Sequence, residues 1–555
     1  MAIVDRRIGL LFGGFILLLL LGLARATYLG LFQAGSLQQA AVQQQVTRQA
    51  IPALRGTITD RHGVVLALSE SADEVVADPY LIRKGNPVKT AQRLAPLLGM
   101  PSAAVLARIT KAGTGFWPVA YDVPAATGAQ IMNMRINGIS EQPVEKRVYP
   151  RSYMAGQVLG WVGANGNGLG GLEYLYNRQL QGTNGVNRVV NDAKGQPIEV
   201  NQLKAMRPGK TIALTIDAPL QQEVEQVLAG VGAAYQPKAA TAIVMNPNNG
   251  QILALANWPA MNSNHVGGSL SNTGDMAVGF SYEPGSTFKA ITVSGALQDG
   301  LVTPSTNIPV PSELRVDGYT ITDAEPHGDE TLSVAQILKV SSNIGADEIA
   351  QRLGPKKFDS WVHRFGFGRL TGVDLPGEQQ GEVLHWWQYS PVSMFNLPFG
   401  QGESVTPIQM ATAYAAIANG GILRPAHIVR AIGGRVQPLP AGRRVLSPGT
   451  AAELRHMLEG VLGPEGTASE VSIPGYELAG KTGTASKVDP ETGEYSHSKY
   501  VASFIGFAPA QDPKLLCAVV VDEPQSGSIY GGTVAAPAFG QIMSFALPYL
   551  GIPPG

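Results

Sequence analysis

The sequence is poor in cysteine and in charge. Cys517 is the only cysteine among 555 residues, so no intramolecular disulfide can form. Because Cys517 lies in the apolar run Leu515–Val521, we predict a buried strand there rather than a reactive thiol. Charged residues make up 15% of the chain and the formal net charge is -1, which argues against a nucleic-acid partner. The hydrophobic content of 44% is that of a folded protein, and the length predicts two or three globular units.

One uninterrupted apolar run lies near the N-terminus. Residues Ile8–Leu23 carry no charge, and Arg6 and Arg7 precede them. With its apolar continuation the run reaches the roughly 20 residues that span a bilayer, so we predict a single-pass membrane anchor within residues 1–34. The two arginines place the N-terminus in the cytoplasm and the rest of the chain on the extracytoplasmic side. A cleaved signal peptide is the alternative, because residues 24–26 resemble a cleavage site, but signal cores are usually only about 7–15 residues long.

Further along, apolar segments of strand length occur in two groups. Ala239–Asn246 and Gly250–Asn257 are joined by an Asn-Gly step, which between apolar runs is a strong hairpin signal. Three more such segments follow near the C-terminus, and helical patterns separate the two groups. We therefore predict an α+β fold in which helices cover a five-stranded, mostly antiparallel sheet. The later strands are Leu478–Thr484, Tyr500–Phe507 and Lys514–Val521, and the helices include Leu332–Val340, Ala346–Arg352 and Pro407–Ala418.

The stretch Tyr282–Ala290 carries a nucleophile and a candidate base. After Pro284 and Gly285, apolar residues recur at helical spacing, which predicts that Ser286 lies in the first turn of a helix. Lys289 follows three residues later, so its amine can approach the Ser286 hydroxyl on the same helix face. Serine needs a base to act as a nucleophile, and a lysine can serve only when it is neutral. Burial in a cleft would lower the lysine pKa in the required direction.

Two further motifs strengthen this interpretation. The Ser-x-x-Lys pattern alone is weak, since it recurs at Ser496–Lys499 within the polar stretch 489–499, which we interpret as a loop. Downstream of Ser286, however, the chain also has Ser-Ser-Asn at 341–343 and Lys-Thr-Gly-Thr at 481–484. We expect the first of these at a polar turn that ends a helix, and the second on an edge strand beside a cleft. Three motifs in this order are a strong signal of acyl transfer by a serine.

The side chains of the third motif suit a free carboxylate. Lys481 and the hydroxyls of Thr482 and Thr484 offer a cationic, hydrogen-bonding seat for a peptide C-terminus. Gly483 is expected to leave room for a peptide to lie against the strand backbone. The charge of Lys481 would also help to lower the pKa of Lys289.

Together the three motifs resemble those of the penicillin-recognising serine transpeptidases. Over nearly its whole length the chain resembles a class B penicillin-binding protein of the division type. The resemblance implies a peptidoglycan D,D-transpeptidase whose Ser286 forms an acyl-enzyme, a reaction that β-lactams would also undergo. It implies that Ser341 passes protons between Lys289 and the leaving group and that Asn343 hydrogen-bonds the substrate amide. It places the oxyanion hole at the N–H groups of Ser286 and Thr484, and it implies no cofactor.

The resemblance also implies a domain order and a set of partners. After the anchor we expect a β-rich pedestal at residues 35–210 and the transpeptidase domain at 211–555. Arg55 and Asp60, near the start of the pedestal, are interpreted as a structural ion pair. The implied partners are peptidoglycan stem peptides, β-lactams, the membrane, other division proteins and a SEDS-family glycosyltransferase, because the N-terminal region has no room for a glycosyltransferase module.

Three alternative interpretations are weaker. Some elongation-type relatives bind zinc near the position of Asp323 and His327, but no cysteine accompanies these residues here, so we predict no metal site. A serine β-lactamase or β-lactam sensor shares the motifs, but a β-lactamase would need neither the anchor nor the long region before residue 211. A non-enzymatic septal scaffold would have no use for Lys289.

Overall fold

The computed structural model describes residues 2–35, 46–191, 197–266 and 272–554. The chain forms two compact units. The first contains residues 1–54, 71–146 and 182–208, and the second contains residues 55–70, 147–181 and 209–555. The chain passes from one unit to the other within the strands Val65–Ala77 and Ile139–Val148.

The first unit begins with the helix Ala2–Leu31. Its segment Arg7–Leu31 has a mean hydropathy of 2.3 and is not buried against the protein. Among the described residues it is the one helix long and apolar enough to cross a membrane. At 1.5 Å per residue its 25 residues extend over about 37 Å, more than the hydrocarbon core of about 30 Å. The helix is therefore suited to serve as the membrane anchor.

The rest of the first unit combines strands with short helices. Gly185–Asn191 is the middle strand of a three-stranded antiparallel sheet, between Val46–Ile51 and Pro197–Lys204. The end of the strand Val65–Ala77 pairs with Trp117–Pro124 and with Ile139–Val148. A small apolar core fills the space between these strands and the helices Pro79–Arg83, Pro87–Leu98, Ser102–Ile109 and Ala125–Asn133.

A five-stranded antiparallel sheet forms the centre of the second unit, which confirms the predicted fold class. The first two strands are joined at Gly250, where φ is +79, as the Asn-Gly step predicts. The other three strands come from the C-terminal part of the chain. In spatial order the strands are Ile252–Trp258, Ala239–Met245, Leu515–Asp522, Tyr495–Ala508 and Ala479–Val488.

Both faces of this sheet are buried, which explains why its strands appear in the sequence as continuous apolar runs. Cys517 belongs to the core beneath the helices Ala218–Tyr235 and Gly531–Tyr549, whereas its neighbour Leu516 belongs to the core on the opposite face. The thiol is completely buried in a strand, as predicted. The core on the opposite face includes residues from the helices Lys289–Gln298, Val334–Val340, Asn343–Leu353, Pro355–Arg364, Pro407–Ala418 and Pro448–Glu459.

Smaller elements complete the second unit. The start of Val65–Ala77 extends a small mixed sheet with Ile58–Thr59, Ile212–Leu214, Val429–Ile432 and Arg435–Val436. Three short antiparallel pairs are Asn307–Val310 with Glu330–Ser333, Leu314–Val316 with Tyr319–Ile321, and Ile422–Leu423 with Arg443–Arg444. The short helices include Gly156–Leu159, Gly171–Leu175, Asn177–Leu180 and Met276–Gly279.

The predicted loop over residues 489–499 is wrong in its second half. The strand Tyr495–Ala508 contains both Ser496 and Lys499, and Tyr495 pairs with Val488. Because successive side chains of a strand point to opposite faces, residues three apart lie on different faces. This second Ser-x-x-Lys pattern therefore cannot form a nucleophile and base pair.

The predicted ion pair between Arg55 and Asp60 is also wrong, because each residue has other partners. Arg55 Nε donates to Glu173 Oε2 at 2.5 Å, and Arg147 Nε donates to Glu173 Oε1 at 2.7 Å. Asp60 Oδ1 instead accepts from the backbone N–H groups of two residues in the following turn, His62 and Val64. The partners of Arg55 lie more than 90 residues away in sequence, beyond the reach of local patterns.

The helix predicted at Leu332–Val340 begins two residues later. Glu330–Ser333 pairs as a strand, and the helix starts at Val334 with Ser333 as its N-cap. Ser333 Oγ accepts the Gln336 N–H, and Gln336 Oε1 accepts the Ser333 N–H. This capping box fixes the start of the helix that ends at Ser341.

Candidate active site

Ser286 lies in a tight turn at the start of a buried helix. Gly285–Phe288 form one turn of 3₁₀-helix, and the α-helix Lys289–Gln298 continues directly from it. Gly285 has φ +55, and its N–H donates to the Gly400 carbonyl at 2.9 Å. Residues three apart eclipse each other in a 3₁₀-helix, so this turn directs Ser286 and Lys289 to the same side. Ser286 thus stands at a helix start, as its sequence context predicts.

The amine of Lys289 joins the first motif to the second. Nζ lies 2.5 Å from the Ser341 carbonyl oxygen, 2.7 Å from Asn343 Oδ1 and 3.2 Å from Ser341 Oγ. None of its hydrogen bonds within the described residues goes to Ser286 Oγ, although the sequence spacing favours that contact. A neutral amine has two N–H donors and one lone pair, so it can donate to both oxygen acceptors and accept from the Ser341 hydroxyl.

Ser341 owes its position to the junction of two helices. The helix Val334–Val340 ends at Ser341, whose φ of 63 and ψ of 40 lie in the left-handed region. The next residue, Ser342, caps the helix Asn343–Leu353 by accepting the Gly345 N–H at 2.9 Å. A helix end followed at once by a helix start turns the Ser341 carbonyl and hydroxyl toward Lys289.

Asn343 is held at both ends of its side chain. Its Nδ2 donates to the Thr322 carbonyl at 2.9 Å, which directs Oδ1 to Lys289. Asp323 Oδ1 accepts the backbone N–H groups of Asn343 and Ile344 and so caps the same helix. His327 Nε2 lies 3.1 Å from the other oxygen, Asp323 Oδ2. Asp323 therefore positions Asn343, and no sequence motif indicates this role.

Burial sets the protonation of this network. It lowers the pKa of Lys289 to about 7, although the charges of Asp323 and Asp347 oppose the shift. Burial also raises the pKa of Asp347 well above its usual range, and neither of its oxygens accepts a hydrogen bond from the described residues. This shift favours the neutral form of Asp347, which weakens its opposition to the Lys289 shift. With a pKa near 7, Lys289 can both accept and return a proton under physiological conditions.

The third motif lies on the edge strand Ala479–Val488. Lys481 is completely buried there, and its Nζ reaches only the carbonyl and hydroxyl of Thr482, at 3.3 and 3.4 Å, among the described residues. Burial lowers the pKa of Lys481 well below its usual range, and the nearby charge of Lys289 lowers it further. An amine buried without a counter-ion is more stable in its neutral form.

The hydroxyl groups of Thr482 and Thr484 differ in whether they can donate a hydrogen bond to a ligand. Thr482 Oγ1 lies 2.7 Å from Thr467 Oγ1, so the two hydroxyls share a hydrogen bond. Thr484 Oγ1 accepts the Gly531 N–H at 3.0 Å, which leaves its own O–H free to donate. Thr484 is also only half-buried. It is the better placed of the two threonines to meet a ligand.

The space beside Gly483 is filled by the protein itself. A Cβ at this position would lie 2.4 Å from Ser503 Oγ and 3.0 Å from both the Pro284 carbonyl oxygen and Thr287 Cγ2. From another direction a Cβ on Gly531 would lie 2.2 Å from the Gly483 carbonyl oxygen. Glycine at 483 therefore lets the turn that carries Ser286 approach the strand. A peptide would therefore lie along the open edge of this strand and not in the Cβ direction of Gly483.

Glu283 is a second acidic group of the site that sequence reasoning missed. Its Oε1 accepts the Gly402 N–H at 3.0 Å and the Tyr495 hydroxyl at 3.2 Å. These contacts join the segment just before Ser286 to the loop at Gly402 and to the start of the strand Tyr495–Ala508. The partners lie 119 and 212 residues away, so only the folded chain brings them together.

Comparison with known proteins identifies the family that the three motifs resemble. The family described as Penicillin binding protein transpeptidase domain matches residues 240–544, and the Penicillin-binding Protein dimerisation domain matches residues 50–214. Peptidoglycan D,D-transpeptidase FtsI of Escherichia coli strain K12 is 32% identical over 557 residues, which cover 99% of this chain and 93% of that protein. Stage V sporulation protein D of Bacillus subtilis strain 168 is 35% identical over 518 residues, 90% of this chain and 79% of that protein.

Solved structures agree with the sequence relatives. Penicillin binding protein 3 from Mycobacterium tuberculosis, complexed with aztreonam, has a TM-score of 0.71 and 28% identity, covering 91% of this chain and 98% of that one. Penicillin Binding Protein 2X from Streptococcus thermophilus has a TM-score of 0.75 and 26% identity, and the match covers 90% of this chain and 80% of that one. All three motifs fall within the matched transpeptidase domain, and the fold brings Lys289 to Ser341 and Asn343. The chain therefore belongs to the class B penicillin-binding proteins.

Proposed function

We propose that the protein is a membrane-anchored peptidoglycan D,D-transpeptidase that cross-links stem peptides in cell-wall synthesis at division. The observation that carries this proposal is Lys289. Its amine is buried, has a pKa of about 7, follows Ser286 by three residues and lies 3.2 Å from Ser341 Oγ. A scaffold without catalytic activity would have no use for such an amine, since burying a lysine costs folding free energy.

In the proposed first step Ser286 attacks the carbonyl carbon of the penultimate D-alanine. Neutral Lys289 takes the hydroxyl proton, the new C–O bond forms and the C–N bond to the terminal D-alanine breaks. Ser341 passes the proton from Lys289 to the departing amine. An amine of a neighbouring stem peptide then attacks the acyl-enzyme, gives up a proton and frees Ser286. A β-lactam would open its ring in the first step and leave Ser286 acylated.

The proposed binding groups surround this reaction. Lys481, Thr482 and Thr484 seat the carboxylate of the terminal D-alanine, and the strand backbone at Gly483 faces the peptide. The carboxylate supplies the counter-charge that the buried Lys481 amine lacks. Asn343 hydrogen-bonds a substrate amide with its remaining donor and acceptor capacity.

The oxyanion that develops on the attacked carbonyl needs hydrogen-bond donors. We assign this role to the backbone N–H groups of Ser286 and Thr484. Such donors typically contribute about 2.7–4 kcal/mol at the transition state. The turn that carries Ser286 packs closely against the strand at Thr484, since a Cβ added to Gly285 would lie 3.2 Å from the Thr484 carbonyl oxygen. This close packing supports the assignment of both N–H groups to one oxyanion hole.

Covalent labelling with a fluorescent penicillin tests this assignment. Ser286→Ala should abolish labelling and leave the fold intact, because it removes only one oxygen from a half-buried side chain. Ser496→Ala is the matched control, since it removes the same oxygen from the second Ser-x-x-Lys pattern and should label normally. Labelling that persists in Ser286→Ala, or that is lost in Ser496→Ala, would refute the site.

The fate of the acyl-enzyme separates the proposed function from its rivals. A transpeptidase should keep the penicilloyl group for a long time and should join two stem peptides when offered a donor and an acceptor. A β-lactamase would release the hydrolysed drug rapidly, and a sensor would label without joining peptides. A scaffold would do neither reaction.

The proposed domain order is anchor 1–34, pedestal 35–210 and transpeptidase domain 211–555. The family matches at 50–214 and 240–544 support it, although residues 55–70 and 147–181 pack with the second compact unit. We propose a cytoplasmic N-terminus, an extracytoplasmic catalytic domain and contact with a SEDS-family glycosyltransferase. A reporter fused to the C-terminus should be active only outside the cytoplasm, and N-terminal sequencing should find the chain uncut at residues 24–26.

A further inference from the structure

Two histidines and an aspartate converge on one face of the helix Pro355–Arg364. Asp359 and His363 are four residues apart and therefore neighbours on the helix surface. His385 approaches from the segment that follows residue 381. Asp359 Oδ1 lies 3.4 Å from His363 Nδ1 and 3.7 Å from His385 Nδ1, and one ligand atom from each residue lies within 4.8 Å of the other two.

This cluster contains buried polar atoms without partners. Asp359 is only 8% exposed, and its Oδ1 accepts no hydrogen bond of normal geometry from the described residues. His363 Nδ1 is likewise buried and without a hydrogen bond of normal geometry. A buried carboxylate oxygen that faces two ring nitrogens needs either a proton or a cation between them.

A second buried acidic group, Glu403, lies close to the cluster. Glu403 is 4% exposed, neither of its oxygens accepts a normal hydrogen bond, and its pKa responds to the charge of Asp359. Burial raises the pKa of Glu403 to about 8. The carboxyl groups and the two imidazoles together offer oxygen and nitrogen donors to a metal ion.

The distances from Asp359 Oδ1 to the two histidine nitrogens fit a small metal ion. Zinc binds histidine nitrogen and carboxylate oxygen at about 2.0–2.2 Å, so neighbouring ligands in a tetrahedral site are about 3.3–3.6 Å apart. The two measured separations, 3.4 and 3.7 Å, are close to that range. His363 and His385 also line a cavity of about 360 Å³, which leaves space for a water or another ligand at a fourth position.

We propose that Asp359, His363 and His385 form a binding site for a divalent transition-metal ion of the zinc class. Two imidazoles and one carboxylate are a donor set that such ions prefer over magnesium or calcium. None of the three residues belongs to the catalytic motifs, and the proposal does not depend on the proposed transpeptidase function.

A metal at this site would act as a structural clamp. His385 precedes the segment that leads to Gly400, whose carbonyl accepts the Gly285 N–H next to Ser286. His385 is also stacked on Trp387, with ring centroids 4.3 Å apart, which restricts the orientation of its ring. Bound metal would tie this segment to the helix Pro355–Arg364.

Titration of the full-length protein with metal tests the proposal. The protein, purified in detergent without a histidine tag and treated with a chelator, is titrated with Zn²⁺ by calorimetry and with Co²⁺ by visible absorption. We expect one ion per chain, a Co²⁺ spectrum typical of low coordination number, and a higher melting temperature with Zn²⁺. His385→Gln and Asp359→Asn should weaken binding by at least the about 10–100-fold that loss of an outer-shell partner causes.

Two control variants define what would overturn the site. His456→Gln removes an exposed histidine 3.2 Å from Glu459, and His497→Gln removes an exposed histidine of the strand Tyr495–Ala508. Both should bind metal as the parent protein does. Absence of binding in the parent protein, or equal affinity in His385→Gln, would refute the proposal. Penicillin labelling of every variant verifies that the fold survives, so a loss of binding cannot be mistaken for unfolding.

Discussion

The Lys289 amine lies 2.5 Å from the carbonyl oxygen of Ser341, and this contact holds the amine within the buried network beside the Ser286 turn. Because Ser341 has a left-handed backbone conformation at a helix junction, its carbonyl and its hydroxyl both face the same amine. The protonation state of Lys289 should therefore control whether Ser286 can be activated.

Acylation should follow the titration of Lys289. The base must be neutral, and its pKa is about 7, so the acylation rate by a penicillin should rise as pH increases through about 7 and level off above. Lys289→Ala should slow acylation by about 10²–10⁴-fold and remove this pH step. Stopped-flow labelling over a pH series measures both effects.

The matched control for this experiment is Lys339→Ala. Lys339 lies on the neighbouring helix and forms a surface pair with Glu465 at 3.0 Å. Its removal should leave the rate and the pH profile unchanged. A pH step near 7 that persists in Lys289→Ala would assign the titration to another group.

Gly483→Ala should damage the site through packing alone. The added methyl would lie 2.4 Å from Ser503 Oγ and 3.0 Å from the Pro284 carbonyl oxygen, next to the Ser286 turn. Overpacking of this kind typically costs about 1–3 kcal/mol of unfolding free energy, and we expect slower acylation as the turn is displaced. Gly230→Ala is the control, because a Cβ there meets nothing within 4 Å, and it should stabilise the helix by about 0.5–1 kcal/mol. Equal effects of the two substitutions would contradict this account.

The sequence predicts the sheet and the helix Pro407–Ala418 well, because both depend on local patterns. Continuous apolar runs mark strands buried on both faces, and the Asn-Gly step marks the hairpin at Gly250. The sequence does not predict why glycine occupies position 483. That reason is a close approach of the Pro284 turn, and its partner atoms are 199 residues away in the chain.

Long-range electrostatic contacts are the other part that local patterns miss. The motif spacing predicts that Lys289 meets Ser286, whereas the fold directs the amine to Ser341 and Asn343. Arg55 has acidic candidates near it in sequence, yet its partner is Glu173. Charged side chains choose partners by three-dimensional proximity and desolvation, and neither is encoded in sequence spacing.

Glu173→Gln should destabilise the protein strongly. Glu173 is completely buried and accepts from Arg55 at 2.5 Å and from Arg147 at 2.7 Å, so the substitution removes the carboxylate that two buried guanidinium groups share. Removing one partner of a buried ion pair typically costs about 3–5 kcal/mol. Glu465→Gln, at a surface pair, should change unfolding free energy by less than about 1 kcal/mol. Urea denaturation compares the two variants, and similar midpoints would show that the buried network contributes little.

Lys481 should discriminate ligands by their carboxylate. Its substitution by alanine removes a charge-assisted contact of about 1.5–3 kcal/mol, so acylation by a ligand with a free carboxylate should slow by about 10–150-fold. An esterified or amidated analogue should lose much less. Lys289→Ala, by contrast, should slow both ligands alike.

The protonation of Lys481 offers a test that is independent of rate. Burial lowers its pKa well below the usual range, which favours the neutral amine in the free protein. A bound carboxylate stabilises the charged amine and raises that pKa, and binding should therefore take up a proton. Calorimetry in buffers of different ionisation enthalpy should detect this uptake for the free acid, and it should be absent for the neutral analogue and in Lys481→Ala. If Lys481→Ala slows both ligands equally and proton uptake is unchanged, Lys481 acts on the chemistry of Lys289 instead of seating the carboxylate.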